Sequence, residues 1–290
     1  MSSGYPTAIA TQSFRSVVSK YRTVFFDAYG VLKNHRGLLA GVEDTFSFLR
    51  DENIDFYILT NDASRSPQEL AATYVDAGLS QVHEKKIISS GMLAREFLSN
   101  KVKSGLVAYV GTPVSAHYVE TTGLQTVSIQ DLDLEEADQV QALVFLDDEG
   151  FDWDRGLNQV VNLLRMRNIP VVVANTDSTY PVSANDVSIA IGALAEMVER
   201  IVGKHFIRFG KPDAQMFSFA LDHIRCRDQE VSKSDILMVG DTLETDIMGG
   251  NHFGVDTALV LTGNTPGRTA KLMMEATGIT PDFVCESVLD

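Results

Sequence analysis

Short apolar runs recur along this chain, and several of them stop abruptly at a polar or acidic residue. Val24-Phe25-Phe26 ends in Asp27, and Ile236-Leu237-Met238-Val239 passes through Gly240 into Asp241. Runs without polar interruption predict strands buried on both faces, as in a parallel sheet. On this basis Arg22 to Asp27 is a first strand, and Ile54 to Leu59 is a second that ends in Thr60-Asn61. Between them the spacing of Val42, Phe46 and Leu49 is helical. Pro67 to Ala77 reads as the next helix, with Ser66 as its N-cap and proline at the first helical position. Ile87-Ile88 and Gly91 to Leu98 add another strand and helix. Strand and helix in alternation predict a doubly wound parallel α/β sheet.

Beyond residue 100 the alternation restarts. Leu106 to Val110, Ala142 to Leu146 and Val171 to Ala174 are new apolar runs, separated by helical stretches such as Leu157 to Arg167. Polar and glycine-bearing punctuation lies at Lys101 to Gly105 and at Gly203-Lys204. Residues 101–205 are therefore expected to form a separate α/β domain inserted into one built from 1–100 and 206–290. The chain re-enters that first domain with Phe206 to Phe209, a helix after Pro212, and strands at 236–240 and 256–261.

At 290 residues and 44% hydrophobic composition, the chain can fill two cores. A formal net charge of −15 argues against broad nucleic-acid or anionic-membrane surfaces. Any phosphate site must be a local basic or metal-assisted spot. The two cysteines, Cys226 and Cys285, form no CxxC or Cys/His pattern, so structural zinc is not expected and a reduced, cytoplasmic setting is. Met1 to Thr11 shows no apolar leader, and no run is long enough for a membrane span.

The chemistry lies at the strand ends. Open α/β sheets bind ligands at the carboxyl edge, and Asp27, Asp241 and Asp246 would meet there if their strands were neighbours. Three carboxylates suit a hard divalent cation, most simply Mg²⁺. Asp27 at such an edge is either a nucleophile or a cap for the following helix. Asp241 and Asp246 flank a turn and face one ion, or else make an Asx-turn and a helix N-terminal acid. The Thr60 hydroxyl and neighbouring N–H groups are suited to a phosphate oxygen, although Thr-Asn is also a common turn pair. Lys211, between Gly210 and Pro212, either neutralises phosphate and a carboxylate or is a surface lysine. Together these groups fit phosphoryl transfer, where catalysis is mostly positioning and charge neutralisation.

The Asp27 loop, Thr60-Asn61, Gly210-Lys211-Pro212 and the segment Gly240 to Asp246, in that order, resemble the haloacid dehalogenase (HAD) superfamily, specifically its class IIA, NagD-like branch. Only 33 residues separate Asp27 from Thr60, whereas 151 separate Thr60 from Lys211, which leaves room for a large cap after the second motif. The resemblance implies a Rossmann-like core with an inserted α/β cap. It also implies a Mg²⁺-dependent phosphoric monoester hydrolase acting on a small phosphorylated metabolite, such as a sugar phosphate or nucleotide, through a phospho-aspartyl intermediate. Asp27 would be nucleophile and metal ligand, with Asp241, Asp246 and the Tyr29 carbonyl completing the metal site. Thr60, Asn61 and Tyr29 would face the phosphate, and Lys211 would steady Asp27 and the phosphate. A homodimer is a further implication.

The match breaks at Tyr29, where relatives of this class carry a second aspartate as acid and base. A phenol, which ordinarily titrates at about pH 10, is a poor substitute. Two alternatives follow: a metal-independent 2-haloacid dehalogenase using Asp27, or a phospholigand-binding protein of low or no catalytic activity. In the inserted domain, Asn175-Thr176-Asp177 is expected to project toward the site, and Asp147-Asp148 to be a solvated turn.

Overall fold

In a computed structural model, residues 9–182, 186–226 and 230–290 are described. Met1 to Ala8, most of the segment read as lacking a leader, lie outside them. Six parallel strands form the first sheet, in the order 283–285, 256–260, 236–240, 23–26, 55–60 and 87–89. From the central strand Thr23–Phe26 the chain winds outward in one direction, then returns to wind outward in the other. The switch in direction falls between Thr23–Phe26 and Ile236–Gly240, the crevice where such sheets bind ligands.

Burial explains why these runs became strands. Thr23 to Phe26 and Ile236 to Gly240 are buried at every position, and alternate side chains go to opposite faces. Val24, Phe26, Ile58, Leu237 and Val239 pack on one face of the sheet. Phe25, Tyr57, Leu59 and Met238 pack on the other.

Most expected helices and strands are present with ends moved by a few residues. The helix after Ser66 spans Pro67–Asp76 and carries a capping box, in which Ser66 and Glu69 exchange hydrogen bonds.

A second parallel sheet has the order 207–208, 171–173, 140–145, 106–110 and 125–128. Ile207–Arg208, read from the sequence as re-entry into the first domain, pairs instead with Val172 and Val173 in this second sheet. The chain therefore crosses back after Phe209, a few residues later than the expected boundary at 205/206. A strand of two residues gives no sequence signal for which sheet it joins.

The hydrophobic layer holding Phe25, Tyr57 and Leu59 also contains Val107, Tyr109, Val144 and Val172 of the second sheet. Leu93, Ala94 and Leu98 of the helix Ser90–Lys101 belong to the same layer, so one apolar layer connects the sheets. Tyr118 secures that junction: its hydroxyl bonds Ser89 Oγ at 2.7 Å and donates to the Arg65 carbonyl at 2.8 Å. Among the described residues no helix is long and apolar enough to cross a membrane.

Candidate active site

Asp27, Asp241 and Asp246 converge at the switch point. One carboxylate oxygen from each lies within 4.8 Å of the others. Asp27 directly follows its strand, whose neighbour ends in Gly240-Asp241. Asp246 returns over that same strand end through a wide turn at Leu243–Ile247. The return is so close that a Cβ on residue 240 would lie 2.1 Å from the Asp246 Cβ, so only glycine fits there. Gly30, with φ of +77°, meets the same limit on the other side, where a Cβ would lie 2.2 Å from Asp241 Oδ2.

Lys211 completes the cluster from a different segment. Its ammonium donates to Asp27 Oδ1 at 2.5 Å and to Asp246 Oδ1 at 2.7 Å. Lys211 is 2% exposed, and Asp241 and Asp246 are 1% exposed. Burial alone would lower the lysine pKa, but the two adjacent carboxylates outweigh it and raise it. Burial raises Asp241 well above the usual carboxylate range, with further upward pushes from Asp27 and Asp246. Burial pushes Asp246 up to about 7, against the opposing pull of Lys211. Asp241 also accepts hydrogen bonds from the Asn264 N–H at 2.5 Å and the Thr242 hydroxyl at 3.0 Å.

Two buried carboxylates and a partly buried one, with a single ammonium between two of the three, leave negative charge uncompensated. Such a set fits a divalent cation held by oxygen ligands. Asp27, Asp241 and Asp246 are the residues that would hold it.

A cleft of about 890 Å³ opens above this floor. Thr60 and Tyr29 line it, together with Asp27 and Lys211. The Tyr29 ring is half-buried and lies 4.9 Å below the Lys33 ammonium. Asn61 behaves differently from the reading as a phosphate ligand. Its Oδ1 accepts from the Lys211 N–H at 2.7 Å, and its Nδ2 reaches the Lys211 carbonyl at 3.1 Å and Asp177 Oδ1 at 2.9 Å. The side-chain amide is thus committed to fixing the Lys211 backbone and the inserted domain's loop.

That loop, Asn175-Thr176-Asp177, does reach the core site: Thr176 donates to the Lys211 carbonyl at 2.8 Å. Burial pushes Asp177 up to about 6, against the attraction of Lys211. Asp147 and Asp148, read from the sequence as a solvated turn, instead line the cleft. Burial pushes Asp147 up to about 6, with the charges of Asp148 and Glu149 adding to it. Tyr180 donates to Asp148 at 3.0 Å.

Sequence reasoning missed Asp62, Arg65, Tyr180 and Asn264, all of which line the same cleft. Asp62 carried a usable signal, since it follows directly on Thr60-Asn61 at a strand end. Asn264 carried none, because its contact with Asp241 is made by the irregular loop that follows the neighbouring strand 256–260.

Comparison with known proteins agrees with this geometry. Residues 24–125 match the haloacid dehalogenase-like hydrolase family, and residues 208–290 match a second HAD-hydrolase-like family. A crystal structure of a possible sugar phosphatase of the HAD superfamily from Cytophaga hutchinsonii is 53% identical. It superposes with a TM-score of 0.93, covering 97% of this chain and 99% of that one. Bovine chronophin is 27% identical over 96% of this chain and 94% of its own length. A glycerol phosphate phosphatase from Mycobacterium tuberculosis, solved in complex with magnesium, shares the fold at a TM-score of 0.75 and 24% identity, over 94% of this chain and 77% of that one. With its carboxylate cluster at the switch point and matches to these family models at both ends of the chain, the chain belongs to the HAD superfamily of hydrolases.

Proposed function

We propose that this protein is a Mg²⁺-dependent phosphatase that hydrolyses a small phosphorylated metabolite, a sugar phosphate or nucleotide, through a phospho-aspartyl intermediate on Asp27. The observation that carries this reading is the bridge from Lys211 to both Asp27 and Asp246, with Asp241 beside them, on the floor of a cleft large enough for a metabolite. Two similar structures, one of a possible sugar phosphatase and one of a glycerol phosphate phosphatase, are consistent with it.

In this reading Lys211 fixes one oxygen of Asp27 and leaves the other to attack phosphorus. Its positive charge also offsets charge on the transferring group. The Thr60 hydroxyl, at the cleft wall, donates to a phosphoryl oxygen, and Asn61 holds Lys211 in register from behind. A bound Mg²⁺ would supply further neutralisation of the phosphoryl oxygens. The inserted domain's loops, with Asp147, Asp177 and Tyr180, face the remainder of the substrate.

The test is phosphate release by purified protein with Mg²⁺ across a broad panel of sugar phosphates, nucleotides and p-nitrophenyl phosphate. Release from at least one member is expected, and EDTA should suppress it. No release from any member overturns the reading, and chloride release from 2-chloropropionate in EDTA would replace it with a dehalogenase.

A further inference from the structure

An alkyl phosphate releases an alkoxide unless a positioned acid protonates the leaving oxygen, and the second half-reaction needs a base to take a proton from water. The Asp27 loop offers no second carboxylate, because Tyr29 occupies the cleft wall beside Asp27. We propose that Asp62 supplies both functions, an assignment that rests on the phosphatase reading above.

Three observations single out Asp62 among the carboxylates of the cleft. The first is its attachment to the nucleophile's own scaffold. Asp62 lies in the loop two residues beyond Thr60, which ends a strand hydrogen-bonded to that of Asp27, with Phe26 opposite Ile58. Its N–H donates to Thr60 Oγ1 at 3.2 Å, and the Ser90 hydroxyl holds the preceding carbonyl at 2.9 Å. Asp147, Asp148 and Asp177 reach the cleft from the second sheet instead.

The second observation concerns orientation. One Asp62 oxygen accepts from both the N–H and the hydroxyl of Ser64, at 2.9 and 2.6 Å. The other accepts no hydrogen bond from the described residues, and the residue lines the cleft. By contrast, Asp177 is held by Asn61 and Asp148 by Tyr180. Glu149 and Glu244 are exposed.

Third, Asp62 and Asp27 lie near the same groups. The Lys33 ammonium, over the rings of Tyr29 and Tyr74 at 4.9 and 5.4 Å, is acted on by the charges of both aspartates. So is the buried Tyr74 hydroxyl. Tyr29 itself feels Asp62. Asp62 and Asp27 also line the same cleft, together with Tyr29.

The steps balance. Asp27 attacks phosphorus, the bond from phosphorus to the alkyl oxygen breaks with its electron pair on that oxygen, and the Asp62 carboxyl proton passes to it to give the alcohol. Asp62, now a carboxylate, takes a proton from water as the water oxygen attacks the acyl-phosphate phosphorus. The bond to Asp27 breaks, inorganic phosphate leaves, and both aspartates return to their starting forms.

The test compares p-nitrophenyl phosphate, whose leaving group needs no proton, with benzyl phosphate, whose leaving group does, in the full chain with Mg²⁺. Asp62→Asn keeps the acceptor for Ser64, and any unfolded fraction cancels from the ratio of the two substrates. Its kcat/KM for benzyl phosphate should fall about 10²- to 10⁴-fold, and that for p-nitrophenyl phosphate less than about tenfold. Slow dephosphorylation should also give a nitrophenol burst of about one equivalent of enzyme. Equal losses on the two substrates, or a substrate-selective loss in Asp147→Asn and not in Asp62→Asn, overturn the assignment while leaving the phosphatase reading intact. Wild-type protein that releases phosphate from neither substrate nor any member of the metabolite panel overturns the reading and the assignment together.

Discussion

Lys211 is the one cation that touches the carboxylate cluster among the described residues, so Lys211→Met isolates its electrostatic contribution. The folded variant must carry one more uncompensated negative charge or take up one more proton. Proton uptake sets the scale, because the cluster already holds carboxylates raised far above their ordinary range, with Asp246 at about 7. An aspartate with an unfolded pKa of about 3.9 that must be neutral in the fold costs about 1.36 kcal/mol for every pH unit above that value. The penalty for Lys211→Met is therefore about 4 kcal/mol at pH 7 and about 1.5 kcal/mol at pH 5. The larger figure falls within the range of about 3–5 kcal/mol seen when one partner of a buried ion pair is removed.

The direction with pH follows from linkage. A carboxyl whose folded pKa is raised binds more protons in the native than in the unfolded state. Stability is then highest below about pH 4 and is lost as pH rises toward the folded pKa. Removing Lys211 raises that folded pKa further, so the deficit widens through pH 7. Urea denaturation of wild type and variant in EDTA, followed by circular dichroism at pH 5 and pH 7, measures it. Equal deficits at the two pH values, or one below about 1 kcal/mol at pH 7, would refute the reasoning.

Three further outcomes are expected. Mg²⁺ at a hundred times its dissociation constant should stabilise the wild type by about 2.7 kcal/mol; in a thermal melt, Asp241→Asn should lose most of that gain, and an undiminished shift would remove Asp241 from the metal site. Gly240→Ala puts a methyl group 2.1 Å from the Asp246 Cβ, so it should cost on the order of 2–4 kcal/mol in urea denaturation and weaken the Mg²⁺-induced shift; a neutral substitution would mean that Asp246 need not lie over the strand end. Tyr29→Asp should raise benzyl phosphate kcat/KM by at least about tenfold in the Asp62→Asn background and by much less in the wild type; equal gains in both would argue that Asp62 supplies no proton.

The parts of this molecule legible in the sequence are those fixed by local burial. Thr23 to Phe26 and Ile236 to Gly240 are covered on both faces, so they had to be unbroken apolar runs. The first polar residue after each run marks the sheet edge, and Asp27 and Asp241 could be read from it. The strand Gln125–Ser128 could not, because its one long apolar residue sits among polar ones at the edge of the second sheet. Phe283–Cys285 has three residues and no periodicity to detect. The site divides in the same way. The floor groups sit within a few residues of strand ends, whereas the wall depends on how the second sheet is set against the first. That setting is made by Tyr118 reaching Ser89 and Arg65, and by the apolar layer through Leu93 and Leu98. No spacing within Asp147-Asp148 or around Asn61 records those contacts. An acidic pair that looks solvated in sequence can therefore line a cleft, and an amide that looks like a phosphate ligand can serve to hold a lysine.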